Sequence, residues 1–325
     1  MNKNVIALAV AAAMLAPLAA QAEVKVSGVL QAELDSVSGD TAEGLYLTSG
    51  NRGKVEFKAS EDLGNGLKAI AKYGMNANVD GKAISQRDAF VGLSGSFGTV
   101  LAGTMSNPYK SSTVSWDPFL ETGAQARGQN GMSTKHNGYT GNAIAYANKF
   151  GMAKVVAALV LDETADTGTT PAGTSTTGNH GMSIAVNMPV GPVEVAVAYI
   201  DTSDMGVGTG GTATTDSAVK LGVKYSAGAM GVAVQHETLD TGADDNTTYT
   251  YLNGTYAAGA NTFAAAFGVK DDGTNSDTYT SLGMIHSFSK STLVYAAYVA
   301  SANENGGNGA ETDVSALAFG LRVGF

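Results

Sequence analysis

A transmembrane antiparallel β-barrel of sixteen strands, all-β and a single domain, is the fold class that this 325-residue sequence predicts, on three observations. Beyond residue 22 the longest apolar run is "VVAALVL" at 155–161, which is strand length, so a membrane-embedded form must be a barrel. Apolar residues recur at every second position through most of the remaining chain. The connections alternate between short turns and long polar loops, which puts turns on one rim and loops on the other.

The N-terminal "MNKNVIALAVAAAMLAPLAAQA" carries Lys3, an apolar run broken by Pro17, and a closing Ala20-Gln21-Ala22. Residues 1–22 therefore read as a cleaved signal peptide, too short and too interrupted for a membrane helix. Residues 23–325 form the barrel, with no composition shift or Pro-rich linker to divide them. The net charge is −10, and losing Lys3 with the leader makes it −11. That surplus disfavours nucleic acid as a partner and favours cations or divalent-bridged anionic surfaces such as lipopolysaccharide. With no cysteine, an exported chain of this length is held by its sheet and core.

The first eight strands are expected near 24–36, 43–60, 66–78, 83–94, 97–105, 139–150, 152–162 and 181–188. The second eight follow near 192–202, 216–226, 230–239, 247–258, 261–271, 277–288, 291–302 and 312–325. In "DSAVKLGVKYS", Val219, Leu221, Val223 and Tyr225 oppose Lys220, Gly222 and Lys224. In "NTFAAAFGVKD", Phe263, Ala265, Phe267 and Val269 oppose Thr262, Ala264, Ala266, Gly268 and Lys270. The second face is mostly Gly, Ala, Ser, Thr and Lys, too small and polar to fill a sixteen-stranded barrel, so an aqueous channel is expected. The closing "SALAFGLRVGF" alternates Leu317, Phe319, Leu321, Val323 and Phe325 with small residues and Arg322. It should pair with the first strand and leave no edge in lipid.

Specific stretches resemble the Gram-negative general porin family, the trimeric sixteen-stranded diffusion channels. "EVKVSGVLQAEL" is similar to that family's first strand, "KVEFKASEDLGNGLKAIAKY" to its second hairpin, "QRDAFVGLSGSFGTVLAG" to the next, and "GLRVGF" to its end. The resemblance implies a homotrimer in the cell outer membrane that passes ions and small hydrophilic solutes passively, without cofactor or enzymatic step. It implies that the third long loop, 106 to about 138, folds into the pore. It also carries over Asp117 and Glu121 of "WDPFLETG" as constriction carboxylates facing Lys54 and Arg87. The terminal Phe325 resembles the family's assembly signal.

The strand pattern agrees for Lys54, which shares a face with Arg52, Glu56 and Lys58 opposite Val55, Phe57 and Ala59. By the same alternation Asp88 points outward, where a subunit contact would shelter it. Thr104 and Tyr139 stand where the family often has Arg, so the basic cluster is expected to be thin. With a net charge of −11 that predicts cation preference.

His136, His180, His236 and His286 show no paired spacing for a metal. "DTGADDN" and "DDGTNSD" lack the closing Glu of a calcium loop, and "GLSGS" at 92–96 sits in a strand-turn-strand setting, not a nucleophile elbow. The competing reading is a barrel acting mainly as a surface adhesion or structural protein. Single-channel conductance separates the two.

Overall fold

The computed structural model of the protein describes residues 22–50, 52–161, 180–203, 216–242, 246–306 and 310–325. All of the expected leader except Ala22 lies outside the described residues. The strands are β1 (Glu23–Gly39), β2 (Gly44–Thr48), β3 (Lys54–Gly64), β4 (Leu67–Asn76), β5 (Gln86–Gly95), β6 (Gly98–Ser106), β7 (Tyr139–Phe150) and β8 (Ala153–Leu161). They continue as β9 (His180–Val190), β10 (Val193–Asp201), β11 (Ser217–Ala227), β12 (Met230–Asp240), β13 (Thr247–Ala258), β14 (Asn261–Asp271), β15 (Ser276–Ser287), β16 (Thr292–Gly306) and β17 (Ala310–Gly324).

From β3 onward each strand pairs antiparallel with the next, and β1 pairs with β17 through partners such as Leu30 with Val323 and Leu34 with Phe319. That pairing closes the sheet and removes the edge that lipid cannot satisfy. β2 and β3 both pair with β1, β2 along Glu33–Val37 and β3 along Glu23–Val29, so they are two halves of one barrel strand. The seventeen segments thus make sixteen barrel strands.

The second strand departs from expectation because Ser49, Gly50, Arg52 and Gly53 leave the ladder. Gly50 adopts φ +50, and a Cβ there would lie 2.3 Å from the Gln31 amide nitrogen. A turn bond from Arg52 N–H to the Ser49 carbonyl (3.0 Å) completes the excursion. Arg52 therefore sits in a break in the wall, not on an unbroken strand face.

Alternation holds over most of the wall. Leu221, Phe267, Leu282 and Phe319 stand exposed on the outer surface, while Ala196, Ala198, Ala233 and Ala264 are buried facing inward. The hairpins on one rim are tight: Asn65 and Gly66 both take positive φ (52° and 76°), the backbone that a two-residue primed turn requires. Two irregularities re-aim side chains. Between Tyr73–Ala89 and Met75–Gln86 the β5 strand carries one extra residue, and between Gly103–Ala143 and Met105–Thr140 the extra residue is on β7.

The alanines and glycines of the inner wall do not all face open water. The connection 107–138 (loop 3) lies against them. Asn107 caps a one-turn helix α1 (Pro108–Ser111) through its side chain, 2.7 Å from Lys110 N–H, with Pro108 in the first turn. Tyr109 of this helix and, beyond it, Trp116, Phe119, Ala124, Ala126 and Met132 are buried against wall residues including Ala198, Ala196, Ala233, Tyr251, Ala266 and Tyr279. Small wall residues are what make this seat: a Cβ at Gly222 would come within 2.6 Å of the Trp116 ring, and one at Gly268 within 2.9 Å of Met132.

Candidate functional site

Loop 3 is fixed by polar contacts that run round the inside of the barrel. Near its start, Tyr109 Oη donates to Glu237 Oε2 at 2.7 Å, and Ser133 Oγ donates to the other Glu237 oxygen at 2.5 Å. Lys220, almost wholly buried, faces Glu237 at 3.5 Å and the Tyr109 ring at 4.2 Å. Further along, Tyr279 Oη donates to the Ala124 carbonyl. At the far side Glu33 of β1 accepts from Gly123 N–H at 2.8 Å and from Tyr295 Oη at 2.5 Å. Buried ions and hydroxyls of this kind are satisfied by one another, which is the condition for placing them in a wall.

The two loop carboxylates expected to act together are separated by this seat. Glu121 points from the loop to the adjoining wall, where it forms ion pairs with Arg52 and, at 3.4 Å, with Arg87. Asp117 is turned into the loop itself. Its Oδ1 accepts from Phe119 N–H at 2.9 Å and Tyr251 Oη at 3.2 Å, and its Oδ2 from Ala126 N–H at 2.9 Å. Burial raises the pKa of Asp117 while those donors and Arg127 oppose the rise. Asp117 organises the loop, and only Glu121 meets the basic wall.

The expected wall charges also divide. Lys54 and Lys58 pair with Glu56 at 3.1 and 3.3 Å, and Lys72 joins the same carboxylate at 2.9 Å. Arg87 is the expected residue that meets the loop, held on its other side by Asn76 Oδ1 at 2.9 Å. Asp88, expected to face outward, instead pairs with Lys72 on the inner face. The extra residue on β5 explains it: Asp88 keeps the inward phase of Phe90, while Arg87, which opposes Gly74 together with it, turns inward out of turn, so alternation counted from Arg87 misplaces Asp88.

The basic cluster is not thin. Beside Glu121 a cavity of about 390 Å³ is lined by Arg87, Lys110, Gln125, Arg127, Lys135 and Tyr139 among others, and Glu121 is the one acid among its lining residues. Lys135 is neutralised by Asp216. Lys110 and Arg127 have no carboxylate within 4 Å among the described residues. Tyr139, standing where the family often has Arg, holds cations on its ring instead: Lys110 Nζ lies 4.4 Å from its centroid and Arg87 Cζ 5.3 Å. Burial, with Arg127 and Arg87 nearby, pushes the Lys110 ammonium down to about 8. Arg322 of β17 adds a further cation, its Nη2 3.3 Å from the Leu120 carbonyl.

Sequence reasoning missed Lys110, Arg127 and Arg322 as site residues. Two lie in the long loop, where no periodicity assigns a face, and the third lies at the other end of the chain. The inward alternation of "GLRVG" was the only signal, and it located Arg322 without revealing its partners.

A family model described as Gram-negative porin matches residues 7–306. The major outer membrane protein P.IB of Neisseria gonorrhoeae is 35% identical over 141 residues, 38% of this chain and 38% of that protein. The major outer membrane protein P.IA of Neisseria meningitidis serogroup C is 29% identical over 163 residues, 42% and 40% of the two chains. The matches thus span well under half the length of these curated relatives. Among solved structures, an anion-selective porin from Comamonas acidovorans aligns with a TM-score of 0.76 at 22% identity, covering 94% of this chain and 100% of that one. The trimer form of OmpT from Vibrio cholerae aligns with a TM-score of 0.66 at 14% identity, covering 94% and 99%.

Proposed function

Because this chain belongs to the Gram-negative porin family and is a protein of the outer membrane, we propose that it forms a water-filled channel for passive diffusion of ions and small hydrophilic solutes. The observation that carries the reading is the charged cluster where the wall-seated loop 3 meets the barrel wall, with Glu121 ion-paired to Arg52 and Arg87. Charged side chains lining a narrow passage order water and ions there and disfavour apolar solutes. No bond is made or broken in such a passage, and weak contacts at several sites let a solute leave as easily as it enters.

The net charge of −11 argued for cation preference. The charges around the passage argue for anions, because selection is made where the ion loses most of its hydration and not by the charge of distant loops. Glu121 there faces Arg52, Arg87, Lys110 and Arg127. The same reading makes the protein a homotrimer embedded in lipid and lipopolysaccharide. The outer face of β1 and β3–β6, where Val24, Phe57, Tyr73 and Val91 surround small alanines, is its subunit contact.

Planar-bilayer recording of the purified protein tests both parts. Stepwise currents support the channel, and their absence would leave a surface adhesion or structural barrel as the better account. In a KCl gradient the reversal potential should show anion preference. A cation-selective potential would overturn that part alone.

A further inference from the structure

The loop that carries Glu121 and the wall break that carries Arg52 converge on one side chain. Gln31 of β1 is 1% exposed. Its Nε2 lies 2.9 Å from the Glu121 carbonyl, 3.2 Å from the Ser49 carbonyl and 3.4 Å from the Gly50 carbonyl. An amide has two N–H groups, so one goes to Glu121 and the other is shared between Ser49 and Gly50. The first carbonyl belongs to the loop that carries Glu121. The other two belong to the wall break that carries Arg52. The Gln31 oxygen in turn accepts from Arg322 Nε at 2.6 Å, and Arg322 Nη2 reaches the Leu120 and Glu121 carbonyls at 3.3 and 3.4 Å.

Gln31 and Arg322 are also register partners across the β1–β17 seam. The clamp therefore exists only when the barrel is closed. It holds residues that need holding: Glu121 has φ +62 and Gly50 φ +50. A non-glycine residue in the left-handed region persists where its surroundings over-determine it. The pocket leaves no slack, since a Cβ on Gly50 would fall 2.3 Å from Gln31 Nε2.

We propose that Gln31 and Arg322 form a seam clamp that positions Glu121 against Arg52, so that closure of the barrel sets the width and charge balance of the passage. They are positioning residues, acting through the carbonyls they hold. An amide is required at 31 because the side chain must donate to three carbonyls and accept from a guanidinium at once. A carboxylate would repel the carbonyls, and an aliphatic group would give up the bonds to the Ser49 and Gly50 carbonyls and to Arg322 Nε.

The proposal rests on the channel reading, and the experiment keeps the two apart. Gln31→Leu and Arg322→Lys leave the formal charge of the lumen unchanged, so any selectivity change reflects displaced partners. Both are recorded in planar bilayers beside wild type and Glu121→Gln, with heat-modifiable mobility on gels to confirm folded barrels. The expected result is folded channels with altered conductance, noisier current and a reversal potential moved most of the way to that of Glu121→Gln. The double variant Gln31→Leu/Glu121→Gln should move no further than Glu121→Gln alone. Should Gln31→Leu fail to fold, the uncharged and nearly isosteric Gln31→Met takes its place with the same expectation. Folded variants with wild-type conductance and reversal potential overturn the clamp, as does full additivity in the double variant. A wild type that does not conduct overturns the channel reading instead.

Discussion

Asp117→Asn separates loop folding from selection, because the substitution is nearly isosteric and its cost can be worked from three contacts. The carboxylate accepts from Phe119 N–H, Ala126 N–H and Tyr251 Oη, all within 3.2 Å. With an amide nitrogen in place of one oxygen, a donor faces the Ala126 N–H. A bond to a charged group is worth about 1.5–3 kcal/mol, and an orphaned buried donor costs about 1–3 kcal/mol more, so seating of loop 3 should weaken by roughly 3–5 kcal/mol. At about 1.4 kcal/mol per tenfold, that shifts the seating equilibrium by two to three orders of magnitude or more. The barrel ladder is untouched, so the variant should still show heat-modifiable mobility and a β-type far-UV spectrum.

The readout is built in. Trp116 is the only tryptophan of the chain, it precedes Asp117 directly, and it is 5% exposed. Its emission should shift to the red in Asp117→Asn, and trypsin should cut at Lys110, Arg127 or Lys135. Glu121→Gln should leave both signals at wild-type values while raising anion preference, since it removes the one acid lining the cavity. If Asp117→Asn kept its buried tryptophan signal and changed only the reversal potential, the division of labour between the two carboxylates would be wrong.

Lys110 carries its charge below about pH 8 and loses it as pH rises through that value. Anion preference should therefore fall as the bath goes from neutral to well above pH 8, and Lys110→Gln should show the lower preference already at neutral pH with a flatter profile. Gly222→Val should displace Trp116, because its first added carbon lies 2.6 Å from the ring; overpacking of this kind costs about 1–3 kcal/mol. A red-shifted tryptophan in an intact barrel is expected, whereas Gly254→Ala, whose added carbon meets nothing nearer than 4.0 Å, should leave the spectrum unchanged. Deleting Phe325 removes paired backbone bonds to Gly28 at 2.9 and 3.0 Å together with the ring that covers it. The yield of folded barrel should drop in a refolding assay, while the channels that do form conduct as wild type.

The sequence by itself determined the sixteen-strand barrel, the lipid-facing side of its strands and the closing role of "SALAFGLRVGF". A membrane imposes period two and closure on every strand, so each strand states its own orientation. The same logic failed where the ladder is interrupted. Arg52 sits in a break, and the extra residue at Arg87 puts two successive side chains on the inner face, so neither Arg52 nor Arg87 follows the alternation of its neighbours and a count from Arg87 misplaces Asp88. The site was legible only in part: of the four residues expected to act together, the structure brings Glu121 and Arg87 into contact and sets Asp117 and Lys54 apart, and it adds Lys110 and Arg127, which no periodicity placed, and the partners of Arg322. What only the tertiary structure decided is the path of loop 3. Its course is chosen by Gly222, Gly268 and the inner alanines, by the buried Glu237 and Glu33, and by Gln31 at the seam. Small residues on an inner face look the same in sequence whether they border water or receive a tryptophan. Only the closed barrel brings the partners together and shows which they do.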